Sequence, residues 1–148
     1  MKLEYFEDTG GLEKLIADYK DVFEMIEDYG TQLRSGVAYT ADDYKECLDK
    51  LTGAFMSLEP LYAIAEAVKL NQETQAYVSM KKELEDKGEK VVAASLEKES
   101  SLSVAPYRRV RAILEGYVES CSKGIGTCQT QLKRLEIEYK NKNSKLNE

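Results

Sequence analysis

Apolar positions predict helices along the whole chain, and their spacing is most regular in the last forty or so residues. There, apolar side chains alternate steps of four and three residues. Heptad spacing of this kind puts them on one stripe of a single helix, which is typical of a seam packed against a partner helix. The stripe predicts an oligomer interface between copies of this chain, formed by Leu114, Val118, Cys121, Ile125, Cys128, Leu132, Leu135 and Tyr139.

Helical periodicity also covers residues 1–59, where it predicts an acidic hairpin of two helices. The first apolar stripe runs from Leu12 to Leu33 and leaves a strongly acidic opposite face. Ser35-Gly36 is expected to end this helix. Thr40 is followed by two aspartates, and a threonine N-cap with acidic residues in the first turn favours the start of the next helix.

The middle segment, residues 60–105, is predicted to be helical but poorly packed. Pro60 is expected to occupy the first turn of a third helix, where its missing N–H is harmless. Gly88 is expected to break or kink the chain. Few apolar residues surround it, so we expect this segment to be exposed, mobile or completed by another chain.

The final segment begins at Ala105-Pro106 and predicts a long association helix over residues 106–140. Gly124 and Gly126 flank Ile125 on the heptad stripe, and each weakens a helix by about 1 kcal/mol relative to alanine. They predict that a partner approaches closely there. Residues 141–148 are expected to form a frayed polar tail.

Together these segments predict one all-α domain, a helical bundle with a long C-terminal heptad-patterned, coiled-coil-like helix. The chain has 148 residues, of which 43% are apolar and 32% charged, and this balance disfavours a disordered chain. No apolar run approaches the roughly 20 residues that span a bilayer. The N-terminus has no apolar signal-peptide core, so we expect a cytoplasmic protein that does not contact a membrane.

The residue types needed for most catalytic and metal sites are scarce. The chain contains no histidine, which is the commonest general base and metal ligand. Its three cysteines, Cys47, Cys121 and Cys128, form no Cys-x-x-Cys pair, and the last two lie on the buried stripe. We therefore expect a protein that is not an enzyme and has no catalytic residues, metal site or cofactor.

Charge is distributed unevenly, which predicts an anionic partner for the basic end of the chain. The net charge is −6, but residues 1–60 carry −8 and residues 106–148 carry +4. Guanidinium groups can bind phosphate through two hydrogen bonds, and a tyrosine can stack on an unpaired base. The candidate nucleic-acid-binding residues are Lys81, Lys82, Tyr107, Arg108, Arg109, Arg111, Lys133 and Arg134. The alternative is a solvated basic face that pairs with Glu97, Glu99 or the acidic first helix.

From about Ala65 onward the chain resembles the UvsY family of phage recombination mediators. The resemblance rests on a helix with a basic pair, a charged segment with a linker, and a final helix of the form Tyr107-Arg-Arg-Val-Arg-Ala-Ile-Leu…Cys121-Ser-Lys-Gly…Gln131-Leu-Lys-Arg-Leu-Glu136. It implies a homo-oligomer assembled through C-terminal helices that coats single-stranded DNA. It also implies that the protein helps to load a RecA-like recombinase in place of a single-strand-binding protein. Lys81 and Lys82 would correspond to the family's basic pair.

Two functional hypotheses follow. The first is an oligomeric mediator that binds single-stranded DNA, with a recombinase or a single-strand-binding protein as further partners. The alternative is an acidic helical adaptor or inhibitor that binds a host or phage protein. In that case residues 12–59 would supply the working surface, with Asp18, Asp21, Glu24 and Asp28 as its principal charges.

Overall fold

The computed structural model describes residues 3–7 and 9–146, and these are almost entirely helical. After a 3₁₀ turn over Leu3–Phe6, the helices are α1 (Gly11–Asp18), α2 (Lys20–Arg34), α3 (Ala41–Asp86), α4 (Ala93–Ser103) and α5 (Ala105–Leu146). No strand occurs in the described residues. The predicted all-α helical bundle is confirmed.

The longest helix, α3, continues without a break past Pro60, the residue that was expected to begin a new helix. Pro60 lies inside α3, so the predicted boundary at residue 60 is wrong. An interior proline costs about 3 kcal/mol because it removes a hydrogen bond and crowds the preceding turn. Here apolar residues on both sides of it, Leu58 and Leu61, are buried, and their burial offsets that cost.

Other helix ends agree with the sequence more closely. Thr40 caps α3 as predicted, because its Oγ1 accepts a hydrogen bond from the Asp43 backbone N–H at 3.2 Å. Gly88 has a φ of 68°, and the break expected there separates α3 from α4.

Two further expectations about helix ends are wrong. The single helix expected from Leu12 to Leu33 is interrupted at Tyr19. The polar tail is helical as far as Leu146, and residues 147–148 lie outside the described part.

The chain divides into two compact units, and α3 and α5 contribute residues to both. The first unit contains the described residues up to Tyr19 together with Pro60–Glu115. Its core consists of Tyr5, Phe6, Leu15, Leu61, Ala65, Leu96, Val104, Val110 and Leu114. Leu96 and Ser100 of α4 are buried by their own chain, whereas most other residues of α4 are exposed, as the sequence predicts.

The second unit contains Lys20–Glu59 and the chain from residue 116 onward. It is built from α2, the first part of α3 and the last part of α5. Its buried apolar residues are Phe23, Ile26, Cys47, Leu51, Ala54, Leu58, Cys121 and Cys128. The rings of Phe23 and Tyr117 stack with their centroids 4.0 Å apart, which joins α2 to α5.

Candidate nucleic-acid interface

A basic groove of about 400 Å³ lies in the first unit, where three helices meet. Val104 alone separates α4 from α5, and its burial holds the end of α4 beside the first turns of α5. We use the name basic groove for the surface lined by Lys69 of α3, Ser101 and Leu102 of α4, and Ala105, Arg108, Arg109, Arg111 and Ala112 of α5.

Within this groove Arg111 is already occupied by carboxylates. Its Nη1 donates to Glu115 at 2.7 Å, its Nη2 donates to the same carboxylate at 3.1 Å, and its Nε donates to Glu66. The guanidinium also lies 5.6 Å from the centre of the Tyr62 ring. The hydrogen bond to Glu66 raises the pKa of Arg111 and lowers that of Glu66.

This arrangement corrects the prediction that Arg111 contacts phosphate. Two carboxylates neutralise its charge and use most of its donors, so a phosphate would have to displace them. Arg111 instead connects α5 to α3 within the first unit.

Arg108 and Arg109, in contrast, remain available at the surface. Both are exposed, and neither forms an ion pair within residues 3–7 and 9–146. Arg108 donates one hydrogen bond to the Ser101 hydroxyl, which orients its guanidinium along the groove. The alternative pairing with Glu97 or Glu99 is therefore not found.

Sequence reasoning missed Lys69, which completes the groove. Its side chain is only 19% exposed and lies between Glu66 at 3.8 Å and Glu73 at 3.7 Å. These acids stand three residues before it and four after it, the spacing at which side chains on one helix face meet. Lys69 contributes a cation whose charge is partly compensated.

The other predicted nucleic-acid-binding residues do not line the groove. Tyr107 is half-buried on α5, beside Arg108. Lys81 and Lys82 are exposed on α3, about 18 Å along the helix axis from Lys69 at 1.5 Å per residue, and Lys81 pairs with Glu85 at 4.0 Å. The remaining two candidates lie in the second unit and are exposed there, Lys133 and Arg134.

The heptad stripe is divided between the interior of the chain and its surface. Leu114, Cys121 and Cys128 have no exposed area, so they belong to the chain's own core. Their assignment to an interface between copies is therefore wrong, because a partner helix cannot reach them. Val118 and Ile125 are half-buried.

The close approach predicted at the two glycines is also internal. A Cβ atom at Gly124 would lie 2.5 Å from Cδ1 of Leu51, so the absence of a side chain lets α5 approach α3 of the same chain. At Gly126 an added Cβ would meet nothing within 4 Å. The nearby glycines thus have different roles, and only the first is needed for packing.

The last part of the heptad stripe remains open. Leu132, Leu135 and Tyr139 line a groove of about 660 Å³ together with Ala41 and Lys45 at the start of α3. Tyr139 is 68% exposed. Of the predicted oligomer interface, Tyr139 is exposed, while Leu132 and Leu135 are half-buried, as Val118 and Ile125 are.

A second groove, of about 490 Å³, collects the acidic residues of α2 and α3 in the second unit. We call this surface the acidic groove; it is lined by Asp21, Glu24, Met25, Asp28, Tyr29, Gln32, Tyr39, Asp43 and Glu46. Asp18 is not part of it, although the sequence grouped Asp18 with these acids. It accepts a hydrogen bond from the Tyr5 hydroxyl at 2.7 Å in the first unit.

The buried cysteines are poorly suited to nucleophilic chemistry. Burial raises the pKa of Cys47 to about 12, and a hydrogen bond to Cys128 adds to the effect. Burial raises the pKa of Cys121 to about 11. Because the thiolate is the reactive form, these thiols are largely inert near neutral pH.

Comparison with protein-family models, curated proteins and solved structures finds no match to this chain. Over the described ranges, no three histidine, cysteine or acidic residues are arranged to hold a metal ion. No helix among those residues combines the length and apolar character needed to cross a membrane.

Proposed function

We propose that this protein binds single-stranded DNA through the basic groove and acts as a recombination mediator. The observation that carries the proposal is the adjacent pair Arg108 and Arg109, which are exposed and make no ion pair in the described residues. Guanidinium groups with free donors bind phosphodiester oxygens through charge-assisted hydrogen bonds.

The apolar lining of the groove favours a single strand over a duplex. Leu102 is 64% exposed and lies in the same groove as the two arginines. Unpaired bases can contact apolar and aromatic side chains, whereas stacking inside a duplex hides the base faces.

A single groove would bind weakly, because it offers few cations on a protein of net charge −6. Each phosphate neutralised on a single strand contributes about −0.7 to the slope of log K against log salt concentration. Two free arginines therefore predict a slope of about −1.4 for one chain. Association of several chains on one strand would multiply this contribution through effective concentration.

The test measures the fluorescence anisotropy of a labelled single-stranded oligonucleotide over a range of salt concentrations. We expect binding at low salt, and we expect Arg108→Glu/Arg109→Glu to abolish it. Arg34→Glu/Lys123→Glu is a matched control, because it reverses two exposed cations in the second unit. The proposal is overturned if the wild-type protein does not bind at micromolar concentration, or if the double variant binds as the wild type does.

The mediator role is tested separately from DNA binding. Single strands are first coated with a single-strand-binding protein, and loading of a RecA-like recombinase is then followed by ATP hydrolysis. We expect the wild-type protein to shorten the lag and the double arginine variant to leave it unchanged. An unaltered lag with the wild-type protein would leave DNA binding standing but refute mediation.

A second candidate function, an adaptor that binds a basic protein, is favoured by the acidic groove. Asp21 and Asp28 are exposed and have no ion-pair partner within the described chain, so their charges are available to a ligand. This function predicts a complex with a basic protein that DNA does not disrupt. Asp21→Lys/Asp28→Lys should abolish that complex, and retention of the complex by the variant would refute the adaptor function.

A further inference from the structure

The last three turns of α5 carry an apolar face that the described part of the chain does not cover. Every residue from 136 to 146 is exposed. Leu135, Tyr139, Lys142 and Leu146 follow steps of four, three and four residues, so they lie on one side of the helix. We call this side the terminal face. Tyr139 is 68% and Leu146 82% exposed.

The exposed end of α5 gains little stability from packing within the described chain. In proteins most helical stability comes from packing of an apolar face. The ion pairs Lys140–Glu136 and Arg134–Glu138 are exposed and contribute little. A partner surface that covers Leu135, Tyr139 and Leu146 would therefore stabilise the end of α5.

The charges on the terminal face indicate what kind of surface would cover it. Lys142 lies between the apolar residues, and Lys145 lies at the edge of the face. Neither lysine forms an ion pair within the described chain. The complementary surface is thus a groove with an apolar floor and an acidic rim.

The acidic groove has both of these properties. Met25, Tyr29 and Tyr39 are half-buried and supply apolar surface, while the acidic side chains around them are exposed. Ion pairs occupy Glu24 and Glu46, which lie 3.6 Å from Lys20 and 2.9 Å from Lys50. Asp43 accepts hydrogen bonds from the backbone N–H and the hydroxyl of Thr40. Asp21 and Asp28 form no ion pair within the described chain and are available to lysines from outside.

We infer that the terminal face of one copy of this chain docks into the acidic groove of another copy. Each copy then offers one helix end and one groove, so the contact joins different surfaces and produces a ring or an open chain of copies. The contact places Lys142 and Lys145 near the acidic rim, and salt will weaken it because the charges are exposed. The inference goes beyond DNA binding, and its test contains no nucleic acid.

The experiment measures molar mass by light scattering at low and high salt. We expect the wild-type protein to exceed the 16.7 kDa of one chain in a concentration-dependent manner, and to dissociate as salt rises. The groove variant, Asp21→Lys/Asp28→Lys, and the helix variant, Lys142→Glu/Lys145→Glu, should each remain monomeric. Circular dichroism establishes that both variants are folded.

Mixing the two variants gives the sharpest test. In the mixture, the basic helix end of the groove variant meets the acidic groove of the helix variant, and the acidic helix end of the helix variant meets the basic groove of the groove variant. Both contacts are therefore complementary again, and the mixture should associate with the two variants alternating. A single chain carrying all four substitutions exchanges both charges and should regain self-association.

A control variant on the same helix distinguishes the effect of charges on the terminal face from the effect of the net charge of the chain. Lys123 and Lys140 are exposed and lie roughly 120–140° around the helix from Leu135, at 100° per residue, so they point away from the terminal face. Lys123→Glu/Lys140→Glu changes the net charge by the same amount and should still associate. The inference is overturned if the wild type is monomeric at low salt, if either test variant associates as the wild type does, or if the mixture stays monomeric. A monomeric wild type that binds a basic foreign protein through the groove would overturn it in favour of the adaptor function.

Discussion

Replacing each of the two glycines in α5 by alanine separates a packing requirement from a helix-propensity effect. Gly124 and Gly126 are two residues apart in the same helix and the same unit. A Cβ at Gly124 would lie 2.5 Å from Cδ1 of Leu51, whereas a Cβ at Gly126 would meet nothing within 4 Å. The two substitutions therefore make the same chemical change in different surroundings.

The magnitudes follow from these distances. Alanine is favoured over glycine inside a helix by about 1 kcal/mol, so Gly126→Ala should raise the free energy of unfolding by up to that amount. Gly124→Ala gains the same propensity but forces Leu51, which is 2% exposed, to move within a close-packed core. Overpacking of this kind costs about 1–3 kcal/mol. We expect Gly124→Ala to be about 1–3 kcal/mol less stable than Gly126→Ala.

Urea unfolding followed by circular dichroism measures this difference directly. The slope of the free energy against urea concentration should be the same for both variants, so that the midpoints can be compared. The Gly124→Ala/Leu51→Ala variant provides a check, because removal of the leucine methyl groups should relieve the clash. Equal stabilisation by the two single alanine substitutions would refute the proposed close packing of α5 on α3.

Three further predictions address other parts of the molecule. Arg111→Ala should lower the urea midpoint of unfolding, because Glu66 and Glu115 lose their shared cation. Arg109→Ala should weaken DNA binding and leave that midpoint unchanged. A lower midpoint for Arg109→Ala with an unchanged one for Arg111→Ala would contradict these roles. The free energy of unfolding should fall as the pH rises from about 9 towards 11, because the thiols of Cys47 and Cys121 ionise first in the unfolded chain. Urea midpoints that stay constant over this pH range would contradict this prediction. Thr40→Ala should reduce the free energy of unfolding by about 1 kcal/mol through loss of the α3 cap, whereas Thr74→Ala, at an exposed position inside α3, should change the urea midpoint less.

The alkaline prediction depends on the direction of the pKa changes. Burial raises the pKa of Cys47 to about 12 and that of Cys121 to about 11, from a reference value of 9.0. Below pH 9 both folded and unfolded chains hold these protons, and the stability is fully present. Above pH 9 the unfolded chain loses them first, so unfolding becomes more favourable.

Local features of the fold were predictable because they depend on neighbouring residues. Helical periodicity identified the all-α class, and the threonine and two aspartates at residues 40–43 marked the start of α3. The break at Gly88 was also predictable, since its φ of 68° suits glycine. Each of these features is decided within one or two turns of chain.

Features that depend on distant residues were not predictable from patterns. A proline such as Pro60 is expected to end a helix when only its neighbours in the sequence are considered. Burial of Leu58 and Leu61 on either side of it allows α3 to continue. Arg111 belongs to the same basic cluster as Arg109, but only the position of α3 brings Glu66 against it. Lys69 was missed for the same reason, since it joins the basic groove through the packing of α3 with α4 and α5.

The sequence by itself determined that the chain is helical, where several helices start, and that one stripe of α5 is apolar. Periodicity and capping are local properties, so they can be read from the order of the residues. Only the tertiary structure decided which helix covers each part of that stripe and which charges remain free. Leu114, Cys121 and Cys128 became core while Tyr139 stayed exposed, because burial depends on residues far away in the chain that folding brings together.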